Sequence, residues 1–112
     1  MKYYYSLQID IDENKSVLID EILGVSRNMF NINWGLEIII HKDDIAFDFI
    51  EYFIGILKDK YQKLELIGIA RENISLWLLY EYEGQCNMEF SPEQLLKIGQ
   101  EKVSLCISCW EK

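Results

Sequence analysis

Tyr3-Tyr4-Tyr5-Ser6-Leu7-Gln8-Ile9-Asp10-Ile11-Asp12, followed by the run from Asn14 to Leu23, decides how this chain folds. Tyr3, Tyr5, Leu7, Ile9 and Ile11 fall on one side, with Ser6, Gln8, Asp10 and Asp12 on the other. That period of two marks a half-buried strand. The period then changes. Leu18, Ile19, Ile22 and Leu23 stand at helical spacing, and Gly24 follows where a helix C-terminal glycine belongs.

Working outward, Val25 to Asn33 holds three asparagines and no clear period, and reads as a loop that exposes Met29 and Phe30. Trp34 to His41 reads as a second strand, with Trp34, Leu36, Ile38 and Ile40 sharing a face. From Asp43 to about Lys60 the residues Ala46, Phe49, Ile50, Phe53, Ile54 and Leu57 predict one long amphipathic helix, with Asp43 or Asp44 as its cap. Leu64 to Ala70 and Ile74 to Glu83 read as two strands of a hairpin turning near Arg71-Glu72-Asn73. Cys86 to Phe90 reads as a further short extended piece. Ser91-Pro92-Glu93-Gln94 then gives a helix start: a serine cap, proline at the first helical position, and a glutamine placed to reach back. Val103 to Trp110 closes the chain as a strand, with Val103, Leu105, Ile107 and Cys109 on one face.

The order is therefore β-α-β-α-β-β-(β)-α-β. The expected class is α+β, a mainly antiparallel sheet with its helices packed on one face. At 112 residues, half of them hydrophobic, the chain fits a single domain spanning 1–112.

Charge narrows the function classes. Nineteen acidic residues against eleven basic give a net charge of -8 and an isoelectric point near 4.6. Phosphates repel such a surface, so neither nucleic acid nor an anionic membrane is an expected direct partner. A basic protein is a better match, because charge complementarity raises its association rate; plain solubility explains the same charge. No secretory leader or apolar stretch of membrane-spanning length is evident, and three cysteines do not make a disulfide framework. These features fit a cytoplasmic setting.

Motifs for chemistry are weak. His41 is the single histidine and has no assignable partner for a nucleophilic or metal site. Cys106-Ile107-Ser108-Cys109 matches C-x-x-C, but residues three apart on a strand point to opposite faces, which leaves Cys109 for the core and Cys106 as a lone thiol. No glycine-rich phosphate loop is present. No catalytic residue, metal or cofactor is assigned, and the chain reads as a binding protein and not an enzyme.

The acids cluster. Asp43, Asp44, Asp48 and Glu51 lie in one base-free stretch, with Asp44, Asp48 and Glu51 expected on one helix face. Glu81, Glu83, Glu89 and Glu93 lie in a second. Either run is a candidate partner-binding face, and either is equally an ordinary solvated surface. Phe30 and Tyr82 are the candidate aromatic anchors. The strands at 34–41 and 103–110 are candidate edges for a homodimer.

Several of these features together resemble a bacterial family catalogued as domain of unknown function number four thousand two hundred and seventy-nine. They are the Tyr4-Ser6-Leu7 strand leading to Glu21-Ile22-Leu23-Gly24, Trp34 ahead of a long helix, and the tail from Met88-Glu89-Phe90-Ser91-Pro92 through Gly99. The proline–threonine turn and longer glycine-bearing loop of that family are replaced here by Val25-Ser26-Arg27-Asn28. The resemblance implies no catalytic residue. It implies an immunity protein, encoded beside a polymorphic or contact-dependent toxin, that covers the active site of a cognate basic domain such as a nuclease.

Overall fold

The first strand, β1 (Lys2–Ile9), becomes a central strand of the sheet in the computed structural model, which describes residues 2–30, 34–41 and 47–112. It pairs antiparallel with β2 (Trp34–His41) on one side and with β3 (Ile74–Tyr82) on the other. A fourth strand, β4 (Ser104–Glu111), runs parallel to β3, giving the order β2-β1-β3-β4. The sheet is thus mainly antiparallel, with one parallel edge. The alternation in β1 sets the register of the core. Ile9 lies opposite Trp34 and Ile74, Leu7 opposite Leu36 and Leu76, and Tyr5 opposite Ile38 and Leu78.

That face is covered by four helices. α1 (Ser16–Leu23) ends as its sequence predicts, with Gly24 at φ 74° donating its N–H to the Asp20 carbonyl at 2.9 Å. α4 (Pro92–Glu101) opens on the expected reciprocal cap. The Gln94 N–H donates to Ser91 Oγ at 3.1 Å, and the Ser91 N–H donates to Gln94 Oε1 at 2.9 Å. Ile19, Leu23, Phe49, Ile50, Phe53, Leu57, Leu64 and Ile98 pack from the helices onto Leu7, Ile9, Trp34, Ile74 and Leu76 of the sheet.

The middle of the chain departs from the sequence reading. The long helix expected from Asp43 to Lys60 is described only as α2 (Phe49–Leu57); Asp43 and Asp44 lie outside the described residues. Asp48 is its cap. Its backbone is non-helical, and its Oδ1 accepts the Glu51 N–H at 3.1 Å, so one carboxylate satisfies a donor that the helix itself leaves open. At the other end Lys58 turns extended and Asp59 adopts φ 64°, which breaks the helix without glycine or proline.

The strand expected at Leu64–Ala70 is instead a second helix, α3 (Tyr61–Leu66). Tyr61 and Leu64 are buried one turn apart, whereas Leu66 is 85% exposed, which a strand alternating into the core would not allow. Lys15 closes α3 from a distance, donating from Nζ to the Ile67 carbonyl at 2.6 Å. The turn at Arg71–Asn73 exists, but it leads into β3 from a helix, so no hairpin forms there. Cys86 to Phe90 is not a strand either. Its Met88 and Phe90 pack against the core from irregular chain.

Candidate protein interface

Alternation has a second consequence. The side of the sheet away from the helices carries Tyr4, Ser6 and Gln8 of β1, Glu37 and Ile39 of β2, Ser75, Trp77, Leu79 and Glu81 of β3, and Cys106, Ser108 and Trp110 of β4. None of these belongs to the core. Across the ladder, Tyr4 stands between Ile39 and Leu79, and Ser6 between Glu37 and Trp77. Trp77 in turn faces Cys106, and Glu81 faces Trp110. The result is an aromatic and aliphatic stripe with carboxylates among its neighbours. Ile39 and Trp110 are each at least 40% exposed.

Both indoles on this face are held. Trp77 Nε1 donates to Ser75 Oγ at 2.8 Å, and Trp110 Nε1 donates to Glu81 Oε2 at 3.1 Å. Fixing a large ring before contact lowers the entropy lost when a partner arrives. Opposite Trp77 on the ladder, Ser6 is fully buried, its Oγ accepting Gln8 Nε2 at 3.0 Å. At one end the face opens into a hollow of about 440 Å³ lined by Gln8, Asp10, Glu72, Asn73, Ser75 and Trp77, with two carboxylates and no base among its walls.

The two edges of the sheet are treated differently. Along β2, Gly35 accepts the N–H groups of Asn28 and Met29 at 3.0 and 3.1 Å. Beyond it the Asn28 side chain behaves as one more residue of strand. Its Oδ1 accepts the Glu37 N–H at 2.6 Å, and its Nδ2 donates to the Glu37 carbonyl at 2.9 Å. Among the described residues nothing comparable covers the outer side of β4. Asn28→Ala should cost about 1–2 kcal/mol of stability, from two lost hydrogen bonds to a strand edge. It should also raise self-association on ultracentrifugation, because the uncovered edge becomes a template for pairing.

Among the described residues, the candidate acids do not assemble into one patch. Asp48 is spent on the α2 cap and also accepts Gln94 Nε2 at 3.2 Å, tying α2 to α4. Glu51 faces Lys97 at 3.6 Å. Of the face expected to hold Asp44, Asp48 and Glu51, Asp44 lies outside the described residues, Asp48 precedes the helix and Glu51 is matched by a base. Glu81 lies on the uncovered sheet face, and Glu83 and Glu89 are exposed in the chain beyond β3. Tyr82 is half-buried at the end of β3, and its carbonyl accepts the Lys112 N–H at 2.9 Å. Phe30 is 70% exposed, as expected, with the Arg27 guanidinium 5.2 Å from its ring centre. It sits near the Gly35 end of the sheet, about 20 Å of strand away from Glu81.

The cysteines divide as strand geometry requires: Cys106 faces Trp77 on the uncovered side, and Cys109 faces Tyr80 on the helix side. Cys109 is nevertheless exposed and not core, because cover fades along β4 from buried Val103 through half-buried Leu105 to exposed Ile107. His41, the last residue of β2, is exposed opposite Lys2. Among the described residues, no three His, Cys, Asp or Glu side chains come together to hold a metal ion, and no helix is long and apolar enough to cross a membrane.

A second hollow, of about 590 Å³, lies by Lys58, Tyr61, Gln62, Arg71 and Glu101. Here the Arg71 guanidinium stacks 3.3 Å over the Tyr61 ring and donates to the Glu101 carbonyl. Burial, then the charge of Glu101, pushes the Tyr61 phenol above its ordinary range, so it stays protonated. This cluster fastens the turn before β3 to the end of α4.

The uncovered face is the feature that sequence reasoning missed, although a signal was present. In Ile74-Ser75-Leu76-Trp77-Leu78-Leu79-Tyr80, apolar residues occupy both alternating sets, so β3 has something to present on each side. No known protein family, curated protein or solved structure matches this chain.

Proposed function

We propose that this domain is a binding module whose uncovered sheet face takes a basic protein partner. The observation that carries the reading is the make-up of that face: the fixed Trp77 and aliphatic residues along its middle strands, the fixed Trp110 at its β4 edge, and Glu37, Glu81, Asp10 and Glu72 on it or at its end. Lysine or arginine at a strand position of the face is confined to Lys2, at one corner. Aromatic anchors ringed by charge are the usual arrangement of binding hot spots. The face measures about 14 Å across the strands and 25 Å along them. That suits the buried centre of an interface of roughly 800 Å² per partner, with the acids as its rim.

In the specific form that the family resemblance implies, the partner is a basic toxin domain, such as a nuclease, and this chain is its immunity protein, covering the toxin's active site. Charge then acts chiefly on the encounter rate and the aromatic stripe on residence time. The experiment is calorimetry against the C-terminal domain encoded immediately upstream, at low and at high salt. Nanomolar, salt-weakened binding at one-to-one stoichiometry, with that domain's activity lost, is expected. No binding at either salt would remove that partner.

A second reading rests on the open edge of β4. Pairing of β4 with its copy across a two-fold axis would make a continuous sheet and a homodimer. Sedimentation at micromolar concentration separates the readings, since the first needs no dimer.

A further inference from the structure

Cys86 and Cys109 are 23 residues apart in sequence, and their Sγ atoms lie 3.7 Å from one another. The approach is built by the chain. Gly84 at φ 73° and the Gln85 N–H bonded to the Glu83 carbonyl at 2.9 Å turn the backbone after β3. Cys86 is thereby carried to the far half of β4, where the fading cover leaves Cys109 exposed. The third thiol, Cys106, points to the opposite face of the same strand. Two of the three thiols are therefore in contact at the surface, and the third is held away from them by the pleat.

We propose that Cys86 and Cys109 form a dithiol site for oxidants of the small-molecule disulfide class, and close into an internal disulfide that fastens the β3–α4 connection to the edge strand β4. The step balances as two successive exchanges. A thiolate of the pair attacks one sulfur of the incoming disulfide, breaking its S–S bond and releasing one thiolate. The second cysteine, deprotonated, attacks the mixed disulfide and releases the other. The pair gives up two protons and two electrons, and the small disulfide is reduced to two thiols. The two sulfurs already lie in contact, and closure brings them to a covalent S–S distance of about 2.05 Å. The ring so formed encloses α4 and most of β4. It restrains the one parallel pairing of the sheet, whose two strands are joined through that long crossover.

The test uses the full chain with oxidised glutathione as the probe. Intact mass is expected to fall by about 2 Da, the mass of two hydrogens, leaving Cys106 as the single alkylatable thiol. The melting temperature is expected to rise by about 10 °C, from loop-closure entropy removed in the unfolded chain. Dithiothreitol should reverse both changes. Cys106→Ser should close normally, while Cys86→Ser and Cys109→Ser should each hold a glutathione adduct without closing. A wild-type protein that stops at the adduct, closes through Cys106, or links only between molecules would overturn the proposal.

Discussion

Trp110→Ala should weaken binding of the basic partner by about thirtyfold or more, corresponding to roughly 2 kcal/mol for a lost aromatic anchor. Fold stability should change little. Trp110 lies near the end of an edge strand, 40% exposed, on the side away from the core. Its loss also frees Glu81, the acceptor of its indole N–H, and a freed rim carboxylate still attracts a base. The association rate should therefore hold while dissociation quickens. Calorimetry gives the affinity and stopped-flow fluorescence the two rates. Wild-type affinity in this variant would remove Trp110 from the interface.

Trp34→Ala should cost about 3–5 kcal/mol, much of the roughly 5–15 kcal/mol that holds a domain of this kind. Trp34 is fully buried at the start of β2, opposite Ile9 of the central strand. Its indole N–H donates to Asp20 Oδ1 at 2.8 Å, and the same oxygen accepts the Arg27 N–H at 3.1 Å. One carboxylate thus joins α1, the connection after it and β2. Trp34→Phe keeps most of the ring volume but removes the donor, and should cost about 1 kcal/mol from the hydrogen bond beyond its change in packing. A double-mutant cycle with Asp20→Ala, read by urea titration, should show coupling of about 0.5–3 kcal/mol. Additive losses would mean that the bond contributes nothing net.

What could be read in the residues follows the range of the forces involved. The β1 alternation and the Ser91-Pro92-Gln94 start are local patterns, and both appear in the structure where their residues place them. Trp34, Leu36, Ile38 and Ile40 do share a face. The break at Lys58-Asp59 could not be read, because it uses a left-handed residue that is not glycine in a stretch whose composition suits a helix throughout. The run from Leu64 to Ile69 fits alternation and helical spacing alike, and only the burial of Tyr61 and Leu64 in the core decides it. The acidic runs were visible as composition. The sequence did not show that Asp48 caps a helix or that Glu51 meets Lys97, because both depend on where α4 docks. The aromatic stripe comes from four strands separated along the chain, so it exists only once their order is known.

Cys106 provides the most direct test of the uncovered face, since it stands beside Trp77 on that side of the sheet while Cys109 stands on the other. The measurement is the rate of maleimide alkylation at each thiol in the Cys86→Ser variant, free and saturated with the basic partner. With the partner bound across the face, Cys106 should react at least about tenfold more slowly, as a thiol shielded from reagent does, while Cys109 keeps its free rate. Cys106 reacting at its free rate in a saturated complex would place the partner elsewhere and contradict the proposed interface.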